Sequence, residues 1–288
     1  MEPASDTSAP LTDWIGRTET AQTVPTDTQM RLMQATLDQA VTARDGDPLP
    51  PLWHWLLFPP LTPTSGLGPD GHTRRGGFLP PVALPRRMWA GGQFRFFAPL
   101  VIGKPVQRRS EIISVAEKTG RSGPLCFVTV RHVLAQGGRD CVEEHHDIVY
   151  RNMPDGPEEP APVPVPAATP TQRRQIVPSM PLLFRYSALT FNGHRIHYDI
   201  DYCRQVEGYP GCIVHGPLIA TLLAGLCREG RAPLATFRFR ATAPLFHTAP
   251  FHICAADGDE GTTLAWAETP RGGLAMTAEA THTSDSGD

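Results

Sequence analysis

The chain has 288 residues, of which 40% are hydrophobic and 19% charged, and its formal net charge is −3 at pH 7. A chain of this length forms one large domain or two of about 100–150 residues, each with a sizeable core. The near-neutral charge exerts no long-range pull on a polyanion, so nucleic acid is not an expected partner.

Residues 1–10 are polar and acidic and lack the basic start and apolar run of a secretory signal, so export is not expected. The longest apolar runs, residues 52–58 and 213–226, are too short or too broken by polar residues to span a bilayer. The expectation is therefore a cytoplasmic protein with no membrane partner. The cysteines, Cys126, Cys141, Cys203, Cys212, Cys227 and Cys254, form no CxxC pair and are expected to be reduced packing residues.

In chain order, residues 27–40 predict an amphipathic helix and residues 52–58 (LWHWLLF) an apolar one. Runs rich in apolar and β-branched residues follow near 111–117, 125–134 and 141–150, with Gly-containing turns between them, and predict an antiparallel meander. Residues 153–171 (MPDGPEEPAPVPVPAATPT) hold too many prolines to continue a helix or a central strand. They predict a semi-rigid linker, 153–172, between an N-terminal half, 1–152, and a C-terminal half, 173–288.

In the second half, HGPLIATLLAGLCREG sets Leu218, Ile219, Leu222, Leu223 and Leu226 at helical spacing, with Pro217 in the first turn and Gly230 at the stop. That helix should be almost wholly buried. Strand runs near 251–256, 262–268 and 275–281 come after it. FRFFAPLVIGKP, from Phe94, resembles FRFRATAPLFHTAP, from Phe237, and this likeness predicts a duplication. Each half then reads as one apolar helix wrapped by an antiparallel sheet, an α+β arrangement.

The densest polar cluster runs from Tyr186 to Asp199 and includes Asn192, His194, Arg195 and His197; Val214-His215-Gly216-Pro217 follows at the mouth of the buried helix. An imidazole titrates near neutral pH and can act as base and acid in turn. A helix start offers free N–H groups to an oxyanion, and since proline has none, Gly216 is the candidate donor. His215 there is read either as a helix-capping residue or as a substrate contact.

Glu143-Glu144-His145-His146-Asp147 looks like a ligand cluster, but neighbours on a strand point to opposite faces and no HExxH or paired CxxC completes a site, so no metal is expected. Gly76-Gly77 and Gly91-Gly92 make no dinucleotide or P-loop fingerprint and read as turns, and no GxSxG element supports a serine hydrolase.

The phrases FNGHRIHYD and VHGPLIATLL, with DWIGR, GDPLPPLWHWLLF and RRGGFLPPVALPRRMWAGG in the first half, resemble the MaoC-like hydratase/dehydratase family of the hot-dog superfamily. The likeness covers most of the chain and is closest to the two-domain branch of 3-methylfumaryl-CoA (mesaconyl-CoA) and itaconyl-CoA hydratases. It implies a double hot-dog fold and a lyase that hydrates such an enoyl-CoA to citramalyl-CoA, with no tightly held cofactor.

Family members carry an Asp five positions before the catalytic His. Here His197 matches the His, but Asn192 stands at the Asp position as a catalytic-site residue whose amide can hold the water yet cannot act as a base at neutral pH. His197 is thus the expected proton-transfer residue, with Asp199 or Asp201 as alternative carboxylates on a segment expected to be extended. His194, His215 and Arg195 are expected substrate-binding residues. Arg195, Arg86 and Arg87 could hold CoA phosphates or a free carboxylate, with an internal ion pair or a solvated surface as the other reading of the last two.

A broader hydratase or dehydratase of fatty acyl thioesters, a thioesterase, and a non-catalytic acyl-CoA-binding protein are the competing functions. A homodimer is the default assembly.

Overall fold

The computed structural model describes residues 9–120, 123–153 and 163–284. The strands are β1 (Thr18–Thr23), β2 (Arg86–Phe96), β3 (Val106–Gly120), β4 (Gly123–Gln136), β5 (Arg139–Arg151), β6 (Gln172–Ile176), β7 (Leu234–Ala241), β8 (Phe251–Asp257), β9 (Thr263–Glu268) and β10 (Leu274–His282). The α-helices are α1 (Asp27–Thr36), α2 (Met180–Thr190), α3 (Ile200–Gln205) and α4 (Gly216–Arg228). The predicted strand runs fall in β3, β4, β5, β8, β9 and β10. Of the predicted linker, residues 154–162 lie outside the described residues.

All the strands join one antiparallel sheet in the order β1-β3-β4-β5-β2-β7-β10-β9-β8-β6. From its centre outward, each half runs second, fifth, fourth, third and first strand, so both halves have one topology. The centre is the β2/β7 ladder, where Phe94 lies opposite Phe237 and Gly92 opposite Phe239. These are the two similar FRF segments, now paired with each other. Gly91 permits the close approach, because a Cβ there would lie 2.6 Å from the Phe239 carbonyl oxygen.

α4 packs across β7, β8, β9 and β10 and buries Leu218, Ile219, Leu223 and Leu226. Each such side chain contributes about 1.5–3 kcal/mol of burial. Pro217 sits in the first turn as expected, and Gly230, at φ 69°, turns the chain away just past the last one.

The N-terminal half departs from expectation. The helix of residues 27–40 ends at Thr36, after starting from a capping box between Thr26 and Gln29. Residues 52–58 form only a 3₁₀ turn, Trp53–Leu56. Pro50 and Pro51 precede it and Pro59 and Pro60 follow, and prolines in these positions leave no room for successive helical hydrogen bonds. Leu52, Trp53, Leu56 and Leu57 nonetheless enter the main core.

α2 forms in a stretch for which the sequence predicts no element. Ser179 caps it by accepting from the Leu182 amide, and it packs on α1. All the cysteines are buried and free, and among the described residues no helix is long and apolar enough to cross a membrane.

Candidate active site

The polar loop is built from short turns rather than extended chain. α2 stops at Phe191, which takes a left-handed φ of 51°, and the Asn192 amide then donates to the Ser187 carbonyl at 2.8 Å. The Asn192 side-chain oxygen accepts from the His194 amide at 3.0 Å, an Asx turn that leads into the 3₁₀ turn Arg195–His197. Asp199 caps α3 by accepting from the Tyr202 amide at 2.9 Å, while Asp201 is exposed in the first turn.

The expected substrate role of Arg195 is corrected by this geometry. Its Nε and Nη2 donate to Asp199 at 3.0 and 2.8 Å, its Nη1 donates to the Pro69 carbonyl, and the guanidinium lies 4.2 Å over the Tyr202 ring. It does not line the cavity described below. Arg195 is therefore a loop-bracing residue, because the carboxylate four positions on neutralises it.

His197 is 7% exposed, and its Nδ1 lies 2.8 Å from the Ile213 carbonyl. A carbonyl only accepts, so Nδ1 carries the proton and Nε2 keeps its lone pair. Burial pushes the His197 pKa down to about 4, leaving the ring neutral and ready to accept a proton at neutral pH.

The His215 ring stacks on His197 with centroids 3.6 Å apart, and its Nε2 meets the Ser187 hydroxyl at 2.8 Å. His215 is 0% exposed and lies behind His197 rather than on the cavity wall. The expected substrate contact is thus replaced by a positioning role, set by the tight packing of Ser187, Tyr186 and α4 around the ring.

A cavity of 2480 Å³ opens in front of these groups, lined by Asn192, His194, His197 and Gly216 from the C-terminal half. Gly216 begins α4, and its amide has no hydrogen-bond partner among the described residues. An ideal Cβ on it would meet nothing within 4 Å, so open space lies there. An unpaired N–H at the positive end of a helix dipole suits an oxyanion.

The N-terminal half adds a residue pair that local sequence reading missed. A tight turn at residues 68–72 carries Asp70 and His72, and the Asp70 carbonyl accepts from the Arg195 amide at 2.9 Å, tying this turn to the FNGHRIH loop. Asp70 Oδ2 lies 3.0 Å from His72 Nδ1, and Oδ1 accepts from the His72 amide at 3.0 Å. Burial works against the Asp70 charge, but the hydrogen bonds from the His72 ring and amide hold its carboxyl well below the usual range.

The His72 ring lies 3.9 Å from that of His194, and the His194 ring 5.6 Å from that of His197. Burial pulls the pKa of His72 down and that of His194 down to about 2. Asp70, His72 and His194 bring ligand atoms within 4.8 Å of one another, a spacing a divalent cation could bridge, yet the bond between Asp70 and His72 already pairs two of the three groups.

Further along the same cavity, Glu144 accepts from His54 at 3.0 Å and from the Trp55 indole at 3.0 Å. Burial opposes its ionisation, but the His54 bond and the neighbouring imidazoles bring it to about 2. His146, on the same face of β5, lies tilted against Trp89 with ring centroids 4.1 Å apart, and burial pushes it down to about 4. His145 is held on the other face beside Glu143, so the EEHHD run splits between two faces as expected.

Of the two arginines at the start of β2, Arg86 is buried in an ion pair with Glu207 at 3.0 Å and lies over the Tyr209 ring. Arg87 lines the cavity opposite Tyr150 in the β2/β5 ladder, and no carboxylate among the described residues pairs with it.

Solved structures with this architecture include HtdX of Mycobacterium tuberculosis (19% identity, 93% of this chain and 100% of that one, TM-score 0.65) and a MaoC-like dehydratase of Phytophthora capsici (16%, 94% and 97%, TM-score 0.68). A further M. tuberculosis protein described as a double hotdog fold aligns over 94% of this chain and 97% of its own at 13% identity, with a TM-score of 0.54. The fold is a double hot-dog.

The family model for hydroxyacyl-thioester dehydratase type 2 matches residues 52–247, and the chain belongs to that MaoC-like family. Mesaconyl-C(4)-CoA hydratase of Chloroflexus aurantiacus is 47% identical over 94% of this chain and 97% of its own. The mitochondrial hydroxyacyl-thioester dehydratase type 2 of Schizosaccharomyces pombe is 27% identical over 77% and 81%. The protein is a carbon–oxygen lyase, a hydratase or dehydratase of enoyl thioesters.

Proposed function

We propose that the protein hydrates a branched dicarboxylic enoyl-CoA such as 3-methylfumaryl-CoA or itaconyl-CoA, giving citramalyl-CoA. The carrying observation is that the neutral His197 ring and the Gly216 amide line one cavity. In the hydration of 3-methylfumaryl-CoA, whose double bond is conjugated to the thioester, His197 Nε2 takes a proton from water as the water oxygen bonds to the β-carbon. The π pair moves toward the thioester oxygen, where the Gly216 N–H stabilises it. His197 then returns its proton to the α-carbon, so one water is added and no proton is gained or lost.

Arg87 supports the dicarboxylic reading, since a cavity-lining guanidinium with no acidic partner among the described residues suits a free carboxylate. The relative from C. aurantiacus supports it as well: mesaconyl-C4-CoA, numbered from the thioester end, is 3-methylfumaryl-CoA. In this reading the C-terminal half, from residue 173, holds the catalytic apparatus and the N-terminal half completes the pocket.

The test is incubation with 3-methylfumaryl-CoA, following the loss of enone absorbance and a mass gain of one water. His197→Ala should abolish both changes, and equal hydration by the mutant would end the assignment. A second reading, hydration of long acyl chains, is favoured by the size of the cavity and by Trp55, Phe58 and Trp89 on its wall. Strong turnover of crotonyl-CoA with none of 3-methylfumaryl-CoA would select it.

A further inference from the structure

The carboxylate absent at position 192 leaves a physical gap. A buried His197 that takes a proton becomes a cation in a poorly solvated site, and burial alone already disfavours that state. Asn192 offers no charge, and its oxygen is used on the His194 amide. Asp199 is neutralised by Arg195, and Glu207 by Arg86.

Asp70 is different. Its side-chain hydrogen bonds all go to His72, and among the described residues no Arg or Lys forms an ion pair with it. With an ionised Asp70 accepting from Nδ1, a neutral His72 keeps its lone pair on Nε2, and the ring lines the same cavity as His197. The two imidazoles flank His194.

We propose that His72 is a second catalytic residue, binding the attacking water beside His197, and that Asp70 is its positioning residue, so that the N-terminal half supplies the carboxylate missing at Asn192. This rests on the hydratase reading above. As the water oxygen bonds to the β-carbon, one O–H bond breaks and its proton goes to His197 Nε2. The second O–H stays intact and donates to His72 Nε2. Asp70 fixes the His72 tautomer and offsets the positive charge that builds up in the file of rings, the role an orienting aspartate plays behind a catalytic histidine. The proton on His197 then forms the α-carbon C–H bond.

The groups facing His72 are Asp70 on its own turn, Arg75 and Arg87 from the segment entering β2, and His194 from the loop before α3. His197 is faced by His72, His194 and, from behind, His215.

The experiment is a pH-rate profile for Asp70→Asn, an isosteric change that keeps an acceptor for the His72 bond. The expected result is a kcat lower by about 10²-fold with KM little changed. The acid limb should move to lower pH, because losing a neighbouring negative charge lowers an imidazole pKa. His72→Gln, which keeps an acceptor, should retain more activity than His72→Phe, and Asn192→Asp should partly rescue Asp70→Asn.

Wild-type kcat with an unshifted acid limb in Asp70→Asn, alongside an inactive His197→Ala, would overturn this proposal and leave the hydratase reading standing. An active His197→Ala would remove that reading itself. Loss of activity on chelation, restored by Zn²⁺ alone, would also overturn it, since a cation on this trio would occupy the lone pair that water needs.

Discussion

Gly71 and Gly193 meet backbone to backbone: a Cβ built on Gly71 would overlap the Gly193 carbonyl oxygen, and one on Gly193 would lie 2.9 Å from that of Gly71. Gly71 also has a φ of 86°. Gly71→Ala should therefore cost about 1–2 kcal/mol from backbone conformation alone and push the two loops apart. Displacing His72 and His194 by about 1 Å should lower kcat by up to ~10²-fold. Thermal melting and steady-state kinetics on the same preparation check both effects, and wild-type kcat would show that the loop contact is catalytically idle.

Gly216 presents the opposite case. Its Cβ position is empty space, so Gly216→Ala should fold normally and melt within about 1 kcal/mol of wild type. The added methyl would stand where the thioester oxygen is expected, and kcat/KM should fall by roughly 10²-fold. Full activity in this variant would move the oxyanion donor elsewhere.

Arg87→Gln should raise KM for 3-methylfumaryl-CoA by about 10–100-fold, the worth of one charged hydrogen bond, while leaving crotonyl-CoA turnover unchanged. The paired comparison isolates recognition of the free carboxylate. Equal loss on both substrates would assign Arg87 to the CoA moiety.

Stability should fall on acidification before any carboxylate titrates. His132, His146 and His197 are held neutral by burial, at about 3, 4 and 4, against 6.5 for a free imidazole. Their contribution is complete above pH 6.5 and is lost as pH falls from there toward 4, because the unfolded chain then binds protons the folded one refuses. Each costs the fold about 1.4 kcal/mol per pH unit in that window. Denaturant midpoints at pH 7.5, 6 and 5 test it, and a flat series would mean that these rings are solvated.

The architecture was legible where physics is local. Strand runs rich in apolar and β-branched residues, the helical spacing of α4 and the two FRF segments all locate real elements, and the segments pair with each other at Phe94 and Phe237. The failures have equally specific causes. Residues 52–58 are apolar enough for a helix, but proline pairs on both sides cut it to one turn.

Arg195 stands out as a substrate ligand only through its place in the family-like motif, and the extended reading of the segment hides the helical turn that sets Asp199 directly against it. Asp70 and His72 gave no signal at all. The bond between them is local, but the rings they join, His194 and His197, lie more than a hundred positions away, and no spacing rule reaches across a tertiary contact.

The unbroken ladder through β2 and β7 also governs how the enzyme moves. Bending one half against the other would tear backbone hydrogen bonds along five paired positions, from Gly91 with Arg240 to Arg95 with Thr236. A hinge is therefore closed to this molecule. A bulky thioester must therefore enter, react and leave with the two halves held in one orientation across this ladder.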